Sequence, residues 1–203
     1  MMSKYSLPIS VVVNDSEFYI KDKCDYRVIF DVFDILNDDI LSQETKVKTC
    51  LYEFYQDIYD KFHNEENVGL AIVCWNITET EILLFDEMLN IINLGKKINP
   101  NEPQKPKLMD WKKDWHLIAP AINDVLHYEV RDPNIYTHWY TLIGAYQQIK
   151  DCYWAQIVSI RNKLQKGKKL DESDREFYNE CKDDIEFSKE LSEEDEQWLY
   201  GDW

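Results

Sequence analysis

The sequence has little of what most enzyme active sites need. Glycine occurs only five times in 203 residues, and neither GxGxxG nor GxxxxGK is present, which excludes the two common phosphate-binding loops. The histidines do not form HExxH, and His116 and His127 are 11 residues apart, unlike a helical ligand pair. We therefore predict no catalytic residue, no cofactor site and no metal site.

Two further absences concern the cellular compartment. The five cysteines show no CxxC or CxxH spacing, so we expect free thiols rather than a disulfide or zinc framework. No uncharged apolar run reaches about 18 residues, the length of a membrane span. The opening MMSKYSLPISVVV also lacks the layout of a signal peptide. We therefore expect a cytoplasmic protein with no membrane partner.

The charge of the chain is strongly negative. The formal net charge is -16, and residues 171–203 contain 14 acidic but only 3 basic residues. Nucleic acid backbones favour clustered cations, so we expect no nucleic acid partner. The hydrophobic content of 44% is enough for a substantial core, and a chain of 203 residues most easily forms a single domain, 1–203.

Periodicity predicts a mainly α-helical domain with a small N-terminal β-hairpin. Residues 9–13 and 18–20 are short strand-forming runs around a turn at 14–16. Two strands are marginally stable alone, so the hairpin is expected to pack on the helices, with another chain as the alternative. The remaining periodic segments predict helices over 25–36, 42–63, 78–92 and 110–126. The short apolar run 67–77 is compatible with a buried helix or a strand, and we favour the helix.

Two of these helices carry more specific expectations. In 78–92 the spacing places Ile82, Phe85, Leu89 and Ile92 on the buried face. In 110–126 Asp110 is expected to cap the helix, and Pro120 to kink or end it. Asp110 and Asp114 share a face of this helix beside two lysines, which favours a solvated charged face over a cation site.

The central element is predicted to be one continuous helix of about seven turns that begins near Trp139. Apolar residues recur along it in steps of three or four as far as Ile160. Gly167 marks its end, and Asp171 or Ser173 caps the next helix.

The proline-rich segment 95–109 is a predicted loop, at which the domain is subdivided into 1–94 and 110–203.

Two groups of residues are candidate partner-binding sites. One is a basic cluster consisting of Arg161, Lys163, Lys166, Lys168 and Lys169. These cations either stabilise the helix end and pair with the following acidic residues, or dock an acidic helix of a partner or another copy. The other group lies in the acidic C-terminal stretch and consists of Trp198, Tyr200 and Trp203, which either fold back on the protein or contact a partner. His138 has no catalytic partner nearby and is expected to be a packed or capping residue.

Four phrases of the sequence are distinctive when taken together and in order. They are DYRV (25–28), HWYTLIG (138–144), SIRNKLQKGKKL (159–170) and EFY (176–178). With these phrases the chain resembles the bacteriophage Gp15 family. Proteins of that family are encoded among the tail genes of long-tailed phages and prophages of Gram-positive hosts. The resemblance therefore implies a phage tail morphogenesis protein, and the missing catalytic motifs predict that it is not an enzyme.

By its position among the tail genes, a Gp15-type protein looks like a tail assembly chaperone. Such a chaperone keeps the tape measure protein soluble in the host cytoplasm until tail tube subunits replace it. Other tail proteins or a second copy of the chain are alternative partners. A minor or connector protein of the finished tail, or an acidic mimic of DNA, are the alternative functions.

Overall fold

The computed structural model of the chain describes residues 6–96 and 107–186. These residues form one antiparallel hairpin and ten α-helices, which confirms the predicted mainly α-helical fold. The strands are β1 (Ser10–Val13) and β2 (Ser16–Tyr19). The helices are α1 (Tyr26–Asn37), α2 (Gln43–Phe54), α3 (Gln56–Phe62), α4 (Val68–Cys74), α5 (Glu79–Ile92), α6 (Trp115–Leu126), α7 (Trp139–Gln147), α8 (Tyr153–Gln165), α9 (Glu172–Glu180) and α10 (Lys182–Ile185).

The chain divides into two compact units. Unit 1 comprises Met1–Glu102 and Val130–Gln147, and unit 2 comprises Pro103–Glu129 and Gln148–Trp203. Segment 130–147 therefore belongs with the N-terminal residues, whereas the predicted subdivision at 95–109 assigns it to the C-terminal part. Hydrogen bonds explain this, since the Trp139 indole N–H donates to the Ile92 carbonyl at 3.0 Å and the Thr137 N–H donates to Asp25 at 2.9 Å.

The hairpin forms where the strand pattern predicts it. Asn14 and Asp15 make a two-residue turn with φ of 49° and 62°, as a type I′ turn requires. Within unit 1 the hairpin contacts α3 and α5. The Asn14 amide donates to the Thr80 hydroxyl at 3.1 Å, and the Tyr19 N–H donates to Asp57 at 2.7 Å. The hairpin thus packs on its own helices.

The predicted helix over 42–63 is broken at Tyr55, which corrects the sequence interpretation. Ser42 caps α2 as expected, but Tyr55 has an extended backbone and pairs with Ile20 in an isolated antiparallel bridge. Its side chain is fully buried, and its hydroxyl donates to the Leu84 carbonyl at 2.8 Å. These tertiary contacts interrupt a helix that local periodicity would continue.

The predicted seven-turn helix is also two helices, α7 and α8, separated by residues 148–152. The prediction was wrong because apolar residues keep their three- and four-residue spacing on both sides of the break. Their environments differ, since Trp139 and Leu142 are buried in unit 1, whereas Trp154 and Ile157 are buried in unit 2. Periodicity shows which residues are buried but does not show that two different cores bury them.

Helices α5 and α6 depart from their predicted details. The buried residues of α5 are Leu84, Met88, Ile91 and Ile92, so Ile92 is buried as predicted, while Ile82 is 55% exposed. Helix α6 begins at Trp115 and not at Asp110, whose carboxylate accepts hydrogen bonds from the Lys112 and Lys113 N–H groups in the preceding turn. The helix then continues through Pro120, so the proline does not end it.

In unit 1, two of the phrases that resemble the Gp15 family contact one another, because Asp25 and His138 pair in an isolated antiparallel bridge. Arg27 of the DYRV phrase donates to the carbonyls of Asp132 at 2.8 Å and Val130 at 3.1 Å. Asp25 accepts from the Thr137 N–H, one residue before the HWY phrase, and also caps α1. These hydrogen bonds hold segment 130–139 against the start of α1, so both phrases contribute to the folding of unit 1.

His138 is a buried capping residue, which confirms the prediction. Its Nδ1 accepts a hydrogen bond from the Tyr140 N–H at 3.0 Å, near the start of α7. Its Nε2 lies 2.9 Å from the Pro8 carbonyl and therefore donates to it in the neutral tautomer. Both nitrogens of the imidazole are thus used in its neutral form.

Acidification should destabilise unit 1 through His138. Burial lowers the pKa of its imidazole below the ordinary value of 6.5. The unfolded chain therefore binds a proton that the folded chain excludes, so the free energy of unfolding should fall as the pH decreases through and below about 6.5. Denaturant unfolding followed by circular dichroism at several pH values measures this. In His138→Asn part of the decrease should disappear, and an unchanged pH dependence in that variant would contradict the assignment.

Candidate partner-binding surfaces

The predicted basic cluster is not one surface, because Arg161 is buried. Only 4% of its side chain is exposed, and its guanidinium forms a bidentate ion pair with Asp114 at 2.8 and 2.9 Å. Asp114 is itself buried, which corrects its interpretation as part of a solvated face. Arg161 is therefore not available to a partner.

The remaining donors of Arg161 bind main-chain carbonyls within unit 2. They reach Leu108 at 3.0 Å, Asp184 at 2.6 Å and Ile185 at 2.8 Å. Arg161 thereby connects α8 with the segment before α6 and with α10. A buried ion pair is tolerated when the remaining donors are satisfied in this way, so the side chain has a structural role.

Lys163 is the second member of the cluster that has an internal partner. Its ammonium group lies 2.6 Å from a carboxylate oxygen of Asp174 on α9. The hydrogen bond from Lys163 lowers the pKa of the Asp174 carboxyl below its ordinary value. Asp174 also belongs to the capping box of α9, in which Asp171 is the N-cap residue. The contact of Lys163 thus agrees with the first of the two predicted roles, in which cations of the cluster pair with the acidic residues that follow them in the sequence.

Lys166, Lys168 and Lys169 form the remaining surface, which we call the lysine turn. All three are exposed, and none has an ion pair with another residue in the described part of the chain. The turn is well ordered by a Schellman motif, in which Gly167 has φ of 61° and the Lys168 N–H donates to the Lys163 carbonyl at 2.9 Å. Trp198, Tyr200 and Trp203 lie outside the described residues.

A second surface, which sequence reasoning missed, lies on α4. Leu70 is 59% exposed and Val73 is 53% exposed, and Cys74 beside them is also exposed. Their spacing places them on one side of the helix. The opposite side is anchored by Ile72, which is 5% exposed. We call Leu70, Val73 and Cys74 the α4 apolar face.

The α4 helix is held in place by a buried lysine. Lys48 is 4% exposed, and its ammonium group donates to the Val73 carbonyl at 2.8 Å and pairs with Glu44 at 2.7 Å. The cation thus stabilises the C-terminal end of a helix that contains no charged residue of its own. In the sequence, the uncharged run 67–77 could have indicated an apolar surface here. Its periodicity, however, does not show which side of the helix is exposed.

Unit 1, to which the α4 apolar face belongs, is acidic as a whole. Residues 6–96 contain 18 acidic and 7 basic residues, and 130–147 contains one of each, so described unit 1 has a net charge of -11. Glu65 and Glu66 precede α4, and Glu79 follows it. The described residues of unit 2 before 171 contain 9 basic and 5 acidic residues. The acidity is therefore not confined to the C-terminal residues.

Two other kinds of site are absent from the described residues. In 6–96 and 107–186, no group of three His, Cys, Asp or Glu side chains is placed to hold a metal ion. Over the same residues, no single helix is long and apolar enough to span a membrane. Helices α4 and α5 reach the necessary length and apolar content only when they are taken as a pair, and this pair is bent by 111° at its junction.

The structural role of Arg161 can be separated from the surface role of the lysine turn. Arg161→Met should lower the free energy of unfolding by roughly 3–5 kcal/mol, because the buried Asp114 carboxylate loses its partner. Lys168→Met should change it by no more than about 0.5 kcal/mol. Combining Arg161→Met with Asp114→Leu should recover part of the loss, since no unpaired charge remains. Denaturant unfolding measures all three, and similar values for Arg161→Met and Lys168→Met would contradict the assignment.

Comparison with known proteins supports the resemblance seen in the sequence. The family described as Bacteriophage Gp15 protein matches residues 4–187, which is most of the chain and includes both units. No curated protein and no solved structure shows a significant match. The matched region contains the α4 apolar face and the lysine turn, and it ends one residue after the described part of unit 2. The chain belongs to the bacteriophage Gp15 protein family and is thus a phage structural or morphogenesis protein.

Proposed function

We propose that the protein is a tail assembly chaperone that binds the phage tape measure protein in the host cytoplasm. Family membership supports a role in phage morphogenesis. The α4 apolar face is the observation that carries the finer assignment, because it offers exposed apolar side chains on a well-anchored helix. Its partner is an apolar segment of a helical protein, bound as in helix-in-groove recognition. Neither nucleic acid nor a membrane takes part.

The size of the face suits reversible binding. Full burial of a leucine or valine side chain contributes roughly 1.5–3 kcal/mol. Association and side-chain ordering cost several kcal/mol, so a face of this size gives modest affinity for each copy. Several copies along one long partner would each be displaced separately. Displacement by polymerising tail tube subunits then needs no other energy source.

The charge of unit 1 is suited to the same task. Its net charge of -11 over the described residues causes copies to repel one another, which keeps a crowded complex soluble. Glu65, Glu66 and Glu79 adjoin the ends of α4 and favour a partner segment whose apolar residues are bordered by lysine or arginine. The apolar face supplies the contact energy, and the surrounding carboxylates limit which partners can approach.

Co-expression with the tape measure protein tests the proposal. The wild-type chain should increase the soluble fraction of that protein and co-purify with it. Leu70→Ser with Val73→Ser should weaken binding at least about tenfold, since two apolar contacts are lost. Ile40→Ser is the matched control, because Ile40 is 94% exposed and lies outside α4. It should bind like wild type.

Two results would contradict this function. If the double variant and Ile40→Ser bind the tape measure protein equally well, the α4 apolar face is not its site. If the protein remains in purified phage particles in stoichiometric amounts, it is a component of the finished tail, because a chaperone leaves when tube subunits assemble. Circular dichroism of each variant establishes that the helical content is unchanged.

A further inference from the structure

Helix α5 has an exposed side that is separate from the α4 apolar face. Glu79, Ile82, Leu83 and Asp86 follow one another in steps of three, one and three residues, which places all four on one side of the helix. All four are exposed. Within residues 6–96 and 107–186, neither Glu79 nor Asp86 has an ion pair. We call these four residues the α5 outer face, in which an apolar pair has a carboxylate on each side.

The α5 outer face is held in its exposed position by the rest of the helix. The opposite side of α5 contains Leu84, Met88 and Ile91, which are buried. The N-terminal end of the helix is fixed by a capping box between Thr78 and Glu81. Rotation of α5 to cover its apolar pair would expose these core residues, so the pair can be buried only by a partner.

The charge of α5 limits which partner can cover this face. The helix contains four acidic residues and no basic residue, and it belongs to a unit with a net charge of -11 over its described residues. Unit 1 of one copy therefore repels unit 1 of another, which disfavours a dimer formed by two α5 helices. The α5 outer face instead complements a surface in which an apolar side chain is bordered by cations.

The end of α8 offers this combination. Leu164 lies in the last turn of the helix and is 42% exposed. The three lysines of the lysine turn follow it within five residues, and all are exposed. Residues 163–175 contain five basic and three acidic residues, one of which is the exposed Glu172. This part of unit 2 therefore has a positive net charge in a protein whose net charge is -16.

The two surfaces also match in dimension and order. Glu79 and Asp86 are seven residues apart, which corresponds to about 10 Å along α5. The backbone of the lysine turn is fixed by its Schellman hydrogen bonds, so that only side chains have to be ordered on binding. Lysine side chains are long and flexible. They can therefore reach the carboxylates on both sides of the apolar pair while Leu164 contacts the pair itself.

We infer that the α5 outer face of one copy docks on Leu164 and the lysine turn of a second copy. In this contact Ile82 and Leu83 pack on Leu164, and the two carboxylates pair with the lysines. Because the contact joins two different surfaces, a dimer keeps one free surface of each kind, and further copies can add head to tail.

The contact is small and is therefore weak between free copies in solution. Exposed ion pairs contribute little individually, and salt weakens them further. Copies that are bound to neighbouring segments of one long partner have a high local concentration, at which a weak contact becomes effective. This last consequence rests on the proposed chaperone function, whereas the contact itself does not.

Complementary charge reversal tests the contact by sedimentation velocity at low salt. Glu79→Lys with Asp86→Lys should weaken self-association at least about fivefold, and Lys168→Glu with Lys169→Glu should do the same. An equimolar mixture of the two double variants should recover the wild-type affinity to within about twofold, because each reversed surface then meets an oppositely charged surface. Failure of the mixture to recover would overturn the inference.

Two controls make the test specific. Lys113→Glu with Lys150→Glu gives the same change in net charge as the lysine-turn variant, at exposed lysines of unit 2. It should weaken self-association by no more than about twofold. Glu79→Gln with Asp86→Asn removes the charges without placing lysine in the first turn of α5, and it should weaken self-association about twofold or more. Circular dichroism establishes that each variant keeps its helical content.

Three further outcomes would overturn the inference. The first is a wild-type chain that is still monomeric at about 1 mM, since even neighbouring copies on one partner would then remain apart. The second is a loss of self-association in Leu70→Ser with Val73→Ser, which would assign the contact to the α4 apolar face. The third is weaker binding of the tape measure protein by Glu79→Lys with Asp86→Lys while self-association is unchanged. Self-association is measured without the tape measure protein, so this inference and the proposed function can fail separately.

Discussion

Cations that donate to main-chain carbonyls are the interaction on which both units depend, and Lys46, Lys48 and Arg161 among them are buried. In unit 1, Arg27 holds segment 130–139, and Lys48 holds the end of α4. Lys46 performs the same task at the end of α1, where its ammonium group donates to the Leu36 carbonyl at 2.9 Å. In unit 2, Arg161 joins three separate segments. The last carbonyls of a helix lack partners within the helix, and Lys46 and Lys48 satisfy two such groups at the ends of α1 and α4.

This use of cations helps to explain the acidic surface. Residues 6–96 contain only seven basic residues, and Arg27, Lys46 and Lys48 are among them. Because these three bind inside unit 1, fewer cations remain outside to balance 18 acidic residues. The exposed apolar side chains of α4 therefore belong to a unit of strongly negative net charge. The negative charge repels other copies of the protein, and the exposed apolar side chains can still bind a helix of a partner. The proposed chaperone role requires both properties.

Local chemistry made much of the fold predictable. Asp25 and Ser42 cap α1 and α2 through their side chains, Thr78 forms a capping box, and Gly167 ends α8 with a positive φ. Hairpin position and helical character also depend on neighbouring residues.

The candidate sites were less predictable because exposure depends on distant residues. Arg161 has the sequence context of a helix-end cation, yet Asp114 lies 47 positions away and draws it into the core. The α4 apolar face was missed for the same reason.

The sequence by itself determined the helical class, most helix ends, the hairpin and the excess of negative charge, because each depends on residue type or on spacing within a few turns. Only the tertiary structure decided that Tyr55 interrupts one predicted helix and that residues 148–152 interrupt another. It also decided that Arg161 is internal while Lys168 is exposed, and that Leu70 faces away from the core. The physical reason is that burial and hydrogen-bond partners across 30 or more residues are set by packing, and a periodic pattern contains no information about which core a residue joins.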